Sequence, residues 1–469
     1  MKRNTGRLFA AMTIALTAAG LGGFLVGVAQ PAHPGSALSG LAHVAALSNV
    51  TAGTAQSTSG AGGPSDTKRR SSPARGPALS VATAGAFSSA SGSQARPEPA
   101  PAAGAAQERI RACDSVAAGY ARCHAILTRP AGKPTFVSPV PTGYNPDDLQ
   151  HAYRLPLNSA GAGQTVAIVD AFDDPAAESD LAVYRSQFGL PACTTANGCF
   201  RKVAQDGSTN FPRPNGGWAQ EISLDLDMVS AVCRNCHIIL VEANTASLTD
   251  LLAAVDEAAA LGATVISNSY GAAEFSGETS FDGHFNRPGI AITASSGDAG
   301  FGVQYPAASR YVTAVGGTSL TTNPADPRGW SETVWSGTGS GCSAFEPPPI
   351  WQANNPSITG VCPERATADV SAVADPSTGV SVFDSFNFHG SRGWLVFGGT
   401  SVASPIIASV FALAGGVTTY SASIPYAHSS SLFDITSGGN GRCGTVLCNA
   451  APGWDGPTGL GTPDGAGGF

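Results

Sequence analysis

Five short apolar runs constrain the fold more tightly than any other feature of the chain. They are QTVAIVD (Gln164 to Asp170), HIILVEA (His237 to Ala243), ATVISNSYG (Ala263 to Gly271), GIAITASSG (Gly289 to Gly297) and YVTAVGG (Tyr311 to Gly317). Each is apolar at successive rather than alternate positions, which is the pattern of a strand covered on both faces, as in parallel sheets. Between them, stretches beginning at Ala176 and at Trp218, and one from Ser247 to Leu261, carry helical spacing. Strand, helix and strand in succession predict an α/β fold with a doubly wound, mainly parallel sheet. Such sheets gather ligands beyond the carboxyl ends of their strands, so the residues that close each strand are where chemistry should be sought.

Ahead of this pattern the chain changes character. Lys2, Arg3 and Arg7 precede an apolar run from Leu8 to Val28, with Gly27 and Ala29 as a small-residue cleavage site. Residues 1–29 therefore read as a secretory signal, and an uncleaved membrane anchor is the alternative because a spanning helix needs roughly 20 apolar residues. Residues 30–105 are rich in Ala, Gly, Ser, Thr and Pro without apolar periodicity, the composition of a disordered linker. Residues 106–141 hold one helical pattern around Ile110 to Leu127 and one cysteine pair, and the compact part is expected to begin near Thr142.

Cysteine usage agrees with export. The ten cysteines fall into sequence neighbours, Cys113 with Cys123, Cys193 with Cys199, Cys233 with Cys236, Cys342 with Cys362 and Cys443 with Cys448. An even count in an exported chain favours disulfides, and local closure of each pair is the simplest connectivity. The stretch CRNCH, Cys233 to His237, also matches a c-type haem attachment or half a zinc site. A haem iron would usually want a second axial ligand such as methionine, but Met1 and Met12 lie in the leader and Met228 belongs to a helix needed elsewhere. No nearby Cys/His cluster completes a zinc site, so a disulfide is expected here too. Charged residues are only 12% of the chain and the net charge is -8, which offers no basic stripe to nucleic acid. So few charges also leave little positive self-repulsion in acid.

Three segments carry candidate chemistry. GGTSVASPIIASVFALAGG (Gly398 to Gly416) is a strand-to-helix junction, and it sets the Ser401 hydroxyl at a helix N-terminus, where developing negative charge is favoured. Taken alone, Ser401 could equally be an N-cap. A nucleophilic serine needs a base, and none of the eight histidines has a convincing setting; His124 lies ahead of the expected compact part. GGWAQEISLDLDMVSAV (Gly216 to Val232) offers carboxylates instead, with Glu221 and Asp225 one helical turn apart on the same face. Two acids this close share their protons, although a solvated acidic face is the commoner use of such a pattern. In ITASSGDAGFG (Ile292 to Gly302), Asp298 closes a strand in a glycine-bounded turn, where a simple turn-former is the bland explanation.

Together these segments resemble the sedolisins, serine-carboxyl peptidases built on a subtilisin-like sheet. The resemblance rests on QEISLDLDMV, SSGDAGFG and GGTSVASP, and on FDITSG and APGWDGPTGLGTP near the C-terminus, covering most of the chain from Thr142 to Pro463. It implies a peptidase domain over 142–469 preceded by a short pro-segment, 106–141. It also implies Ser401 as nucleophile, Glu221 as general base and later acid, Asp225 as the group that orients Glu221, and Asp298 as oxyanion donor. One calcium ion is implied on the carboxylates of Asp434 and Asp455 and the carbonyls of Ile435, Ala451 and Gly453. SNSYG resembles the strand that pairs with substrate backbone, through Ser269 and Gly271.

A secreted monomer acting on protein or peptide substrates in acid is therefore expected, with a membrane partner only if the leader is retained. Endopeptidase and tripeptidyl-peptidase activity are not distinguished. The competing readings are a subtilisin proper, with Asp170 in its catalytic aspartate position but no matching histidine, and an inactive pseudo-peptidase that only binds. Family precursors carry a large folded propeptide, from which the short 106–141 segment departs.

Overall fold

The structure is a computed structural model that describes residues 106–133, 135–156 and 160–469. The expected signal (1–29) and linker (30–105) lie outside the described residues. Strands β1 (Gln107–Arg111), β2 (Arg122–Cys123), β3 (Ile126–Pro130) and β4 (Phe136–Ser138) come first, followed by helix α1 (Pro146–Ala152). The main sheet then takes in β5 (Thr165–Ala171), β6 (Phe200–Ala204), β7 (His237–Ala243) and β8 (Val265–Asn268). After β8 the chain continues as β9 (Tyr270–Ala273), and β10 (Ala291–Ser295), β11 (Gln304–Tyr305), β12 (Thr313–Thr322) and β13 (Trp330–Val334) follow.

The main sheet runs β13-β12-β10-β8-β5-β7-β6, with Val370–Val373 also on β12. Every pairing between β12 and β6 is parallel, and β13 is an antiparallel edge. The apolar runs read from sequence supply this core: Val166 to Val169, Val265, Ile266 and Ala294 are fully buried. Helices α2 (Ala177–Gln187), α3 (Gly216–Val232) and α4 (Leu248–Ala260) alternate with the strands. α4 packs on β5 and β7, while α3 lies against the helix Thr400–Leu413, which covers β8, β10 and β12. Both central helices are buried along nearly their whole length.

A second sheet joins β1, β3 and the hairpin Val380–Phe388/Ser391–Gly398, with β4 added in parallel to Ser391–Gly398. A helix is expected around Ile110 to Leu127, and the structure has strands there instead. The edge of Ser391–Gly398 supplies a ladder for β3, and the Cys113–Cys123 disulfide and Gly119 at φ 83° turn the chain between β1 and β3. Tertiary pairing outweighs the local spacing of apolar residues. Among the described residues the fold thus already includes β1 to β4, ahead of Thr142. Among the described residues no helix is long and apolar enough to cross a membrane.

Candidate active site

Asn215 starts α3 by accepting hydrogen bonds from the amides of Gly217 (3.0 Å) and Trp218 (3.1 Å), which satisfies two of the donors a helix start leaves orphaned. The helix then carries Glu221 and Asp225 inward, both wholly buried. Across from them Ser401 is the second residue of Thr400–Leu413, entered through Gly399 at φ 99°. Pro405 lies one turn further on and has no amide hydrogen to offer the Ser401 carbonyl. Asp298 follows the carboxyl end of β10, and its Oδ1 accepts from the amide and the hydroxyl of Thr400, both at 2.9 Å. Ser269 lies beyond the end of β8, and its carbonyl accepts from Ser401 Oγ at 3.1 Å. Asp170 closes β5. The chemistry therefore collects at the carboxyl ends of adjacent parallel strands.

Burial drives the electrostatics. Desolvation pushes the Glu221 carboxyl well above the ordinary glutamate range, the charge of Asp225 adds to this, and the neighbouring Ser401 side chain opposes it. Asp225 is raised by burial, with the neighbouring Ser269 side chain acting in the opposite direction. Asp170 is raised by burial and then by Asp225, Glu221 and Glu242. Asp298 is pushed up to about 6 by burial, against hydrogen bonds from Thr400 and the charges of Arg111 and Arg122. Among the described residues, Asp298 Oδ2 has no hydrogen-bond donor. The cluster holds more protons near neutrality than its composition suggests, so it can donate hydrogen bonds as well as accept them.

The site is threaded by the chain's own N-terminal segment. β2 pairs antiparallel with β9, Arg122 opposite Gly271 and Cys123 opposite Tyr270. The His124 amide donates to Ser269 O at 3.2 Å and to Ser401 Oγ at 3.0 Å, and the Ala125 amide donates to Glu221 Oε2 at 3.0 Å. Arg111 donates to Asp298 O at 2.8 Å and lies 3.9 Å from Asp298 Oδ2. The His124 ring fills a pocket in which Nε2 donates to Gln304 Oε1 (2.9 Å) and Nδ1 accepts from Ser295 Oγ (2.7 Å). A Cβ at Gly271 would stand 2.8 Å from that ring, so the glycine makes the room. A cleft of about 370 Å³ continues alongside Arg122, Gly271, Phe301 and Gln304.

Sequence reasoning set His124 aside and did not reach Ala125, Arg111, Ser295 or Gln304. The available signal was RCHA, Arg122 to Ala125, which contains the second cysteine of a pair in a segment whose composition had turned globular again after the linker.

The C-terminal candidates also meet. Asp434 Oδ2 accepts from the Gly453 amide at 2.8 Å, and Asp455 accepts from Ala451 N (3.1 Å) and from Thr458 N and Oγ1 (3.0 and 2.8 Å). Burial raises Asp455 to about 7, and the charge of Asp434 adds to the shift. Ile435 is buried beside them. Among the described residues no group of three or more His, Cys, Asp or Glu side chains is placed to hold a metal, so a cation here would depend on two carboxylates and backbone carbonyls. Disulfides join Cys113 to Cys123, Cys193 to Cys199, Cys233 to Cys236, Cys342 to Cys362 and Cys443 to Cys448. The haem and zinc readings of CRNCH end there, with both of its sulfurs bonded to each other.

Comparison with known proteins agrees with this arrangement. A model of the subtilase family matches residues 211–423. Kumamolisin of Bacillus sp. (strain MN-32) is 32% identical over 391 residues, covering 72% of this chain and 68% of its own length. The chain belongs to the sedolisin family. Sedolisin of Pseudomonas sp. (strain 101) is 27% identical over 394 residues, covering 73% of this chain and 64% of its own. The chain thus spans about two thirds of the length of these two relatives. A solved structure of Pseudomonas sedolisin, described as a serine-carboxyl proteinase complexed with two molecules of pseudo-iodotyrostatin, superposes with a TM-score of 0.57 at 27% identity, covering 69% of this chain and 96% of that one. As a sedolisin the chain is a serine-type peptidase with the subtilisin-like α/β fold.

Proposed function

We propose that the chain is a secreted peptidase that cleaves peptide bonds in acid, with Ser401 as nucleophile, Glu221 as general base and then acid, Asp225 orienting Glu221, and Asp298 as oxyanion donor. The observation that carries this reading is the convergence of these four residues, from three distant segments, in one buried cluster, where burial pushes Asp298 up to about 6 and so keeps it a donor in acid. Once the coupled Glu221–Asp225 pair has given up a proton, the ionised Glu221 would take the Ser401 proton as the hydroxyl attacks, and return it to the leaving amine. Protonated Asp298 would donate from Oδ2 to the tetrahedral oxygen. Hydrolysis of a denatured protein is expected to peak in acid and to fall by about 10⁴-fold or more in Ser401→Ala and Glu221→Gln. A neutral optimum with Glu221→Gln still active would sink the mechanism.

Export is supported by the leader and by five disulfides, with residues 106–141 as a pro-segment ahead of a peptidase domain over 142–469. The C-terminal oxygens suit one calcium ion: Asp434 and Asp455 would hold it with the carbonyls of Ile435, Ala451 and Gly453, and a dication there would relieve the mutual repulsion of the two carboxylates. It would fasten this turn rather than take part in bond cleavage. Chelation should lower Tm by several degrees, and a chelated protein with unchanged melting and activity would remove the ion from the proposal.

A further inference from the structure

We propose that Asn440 is a positioning residue for the reaction: it ties a C-terminal hairpin, residues 438–450, to the turn that carries Asp298, and so fixes where the oxyanion donor points. The inference rests on the assignment of Asp298 above and adds the residue that holds its turn from the far side.

An oxyanion donor works only if its oxygen is already aimed when charge develops. The Asp298 side chain is held at one oxygen, where the amide and hydroxyl of Thr400 occupy Oδ1 and leave Oδ2 to donate. The rest of its aim depends on the backbone of residues 297–302, which lies between β10 and β11. That backbone is stitched to residues 337–340. Gly300 N donates to Gly337 O (2.8 Å), Gly302 N to Ser340 O (2.7 Å), and Gly339 N to Gly297 O (2.8 Å). The amide between the first two goes elsewhere: Phe301 N donates to Asn440 O at 2.9 Å.

Asn440 belongs to a hairpin paired by Asn440 N to Cys448 O (3.0 Å) and Ala450 N to Gly438 O (3.1 Å), and closed by the Cys443–Cys448 disulfide. Its buried side chain reaches back over the stitched segment, with Nδ2 donating to Thr338 O at 2.6 Å and to Ser340 Oγ at 2.8 Å. Ser340 Oγ in turn donates to Leu447 O at 2.6 Å, on the returning side of the hairpin. The amide cannot be reversed, because Thr338 O only accepts and needs the nitrogen. Oδ1 is thereby left buried with no donor among the described residues, a desolvation cost that a side chain kept only to fill space would avoid. Thr338 completes the circuit, since its Oγ1 accepts from Gly317 N of β12 at 2.8 Å. Glycines let the backbones meet: a Cβ at Gly300 would stand 2.8 Å from Asn440 O, and one at Gly441 would stand 2.6 Å from Phe301 Cβ. One side-chain amide thus locks the Asp298 turn to the main sheet on one side and to the hairpin on the other.

Full-length Asn440→Ala should be assayed at pH 4 on one short peptide substrate, with its urea midpoint recorded alongside. We expect kcat to fall about 10- to 100-fold, the scale of a misaimed catalytic group, while KM stays within about twofold. Amide exchange at Gly300, Phe301 and Gly302 should quicken. The deciding measurement is the double change. Because Asn440 acts through Asp298, Asn440→Ala made on top of Asp298→Ala should cost less than about threefold. Ser340→Ala, which removes one acceptor of Nδ2 and leaves Asn440 in place, should show a smaller loss with the same collapse, and it serves where Asn440→Ala yields no folded protein.

An unchanged kcat in Asn440→Ala, a loss carried entirely by KM, or the full loss repeated on top of Asp298→Ala would each overturn the inference and leave Asp298 as donor. Failure of both Asn440→Ala and Ser340→Ala to fold makes these residues structural and overturns it as well. Wild-type kcat in Asp298→Ala removes the donor assignment, and the inference falls with it.

Discussion

His124 carries the sharpest pH argument at the scale of single residues. Burial, with the charges of Arg122 and Arg111, holds its imidazole down to about 3, although the Gln304 hydrogen bond pulls the other way. The docked ring is neutral, whereas a released one has the ordinary value of about 6.5. Docking is therefore complete above about 6.5 and is lost progressively as pH falls toward 3, by roughly tenfold in affinity per unit. Asp298, which faces the same carbonyl and holds Arg111, changes in the same sense, since its protonation weakens that ion pair. Amide hydrogen exchange at His124 and Ala125, corrected for intrinsic rates, should be strongly protected at pH 7 and weaker at pH 4, and His124→Gln should flatten this dependence; equal protection at both pH values would refute it. Asp298 sets a second limit. Raised to about 6, it donates below that pH and loses its proton above it, so kcat should fall as pH rises through 6. Asp298→Ala should cost about 10²–10³ in kcat at pH 4, and a wild-type rate flat from pH 4 to 8 would exclude the donor role.

The elements were legible where the sequence repeats one physical pattern, and illegible where a partner decides. β5, β7 and β10 are buried on both faces and declare themselves as apolar runs, and α3 declares its two carboxylates by their four-residue spacing. β1 and β3 do not, because their strand character comes from the edge of Ser391–Gly398, some 260 residues away. That is also why His124 looked stranded: its setting is built by Ser269, Ser295, Gln304 and Ser401, and no local pattern encodes such an assembly. Two substitutions probe the supporting elements. Asn215→Ala removes the α3 cap, should cost about 1 kcal/mol in denaturant unfolding, and should lower kcat through Glu221; an unchanged unfolding midpoint would deny the cap its role. Gly399→Ala puts a Cβ onto the His124 carbonyl at φ 99°, and should displace the His124 segment, read as faster amide exchange at His124 and Ala125, while leaving the fold intact by circular dichroism.

Across the whole molecule, the low charge content visible in the composition becomes a stability profile. Asp170, Glu221, Asp225, Asp227 and Asp384 are raised by burial, Asp174 to about 7, Glu242 to about 8 and Glu346 to about 9. A carboxyl whose folded pKa lies above its unfolded value binds its proton more tightly when folded, so it favours the native state at low pH and loses that advantage as pH rises to the folded value. Tm should therefore be higher at pH 4 than at pH 8 with calcium held constant, the reverse of an ordinary acid-denaturing protein, and calorimetry giving the opposite order would refute this. The position of the five disulfides has a last consequence. Cys113 and Cys123 both precede Ala125, and the other four bridges all follow it, so no described crosslink spans the bond at 124–125. While that peptide bond is whole, the segment meets its cleft at an effective concentration in about the millimolar range, which no ordinary substrate can match. Once it is broken, occupancy depends on bulk concentration, and dilution alone drives the two pieces apart. The segment's hold on the cleft thus hangs on a single stretch of backbone, with no second covalent tie among the described residues.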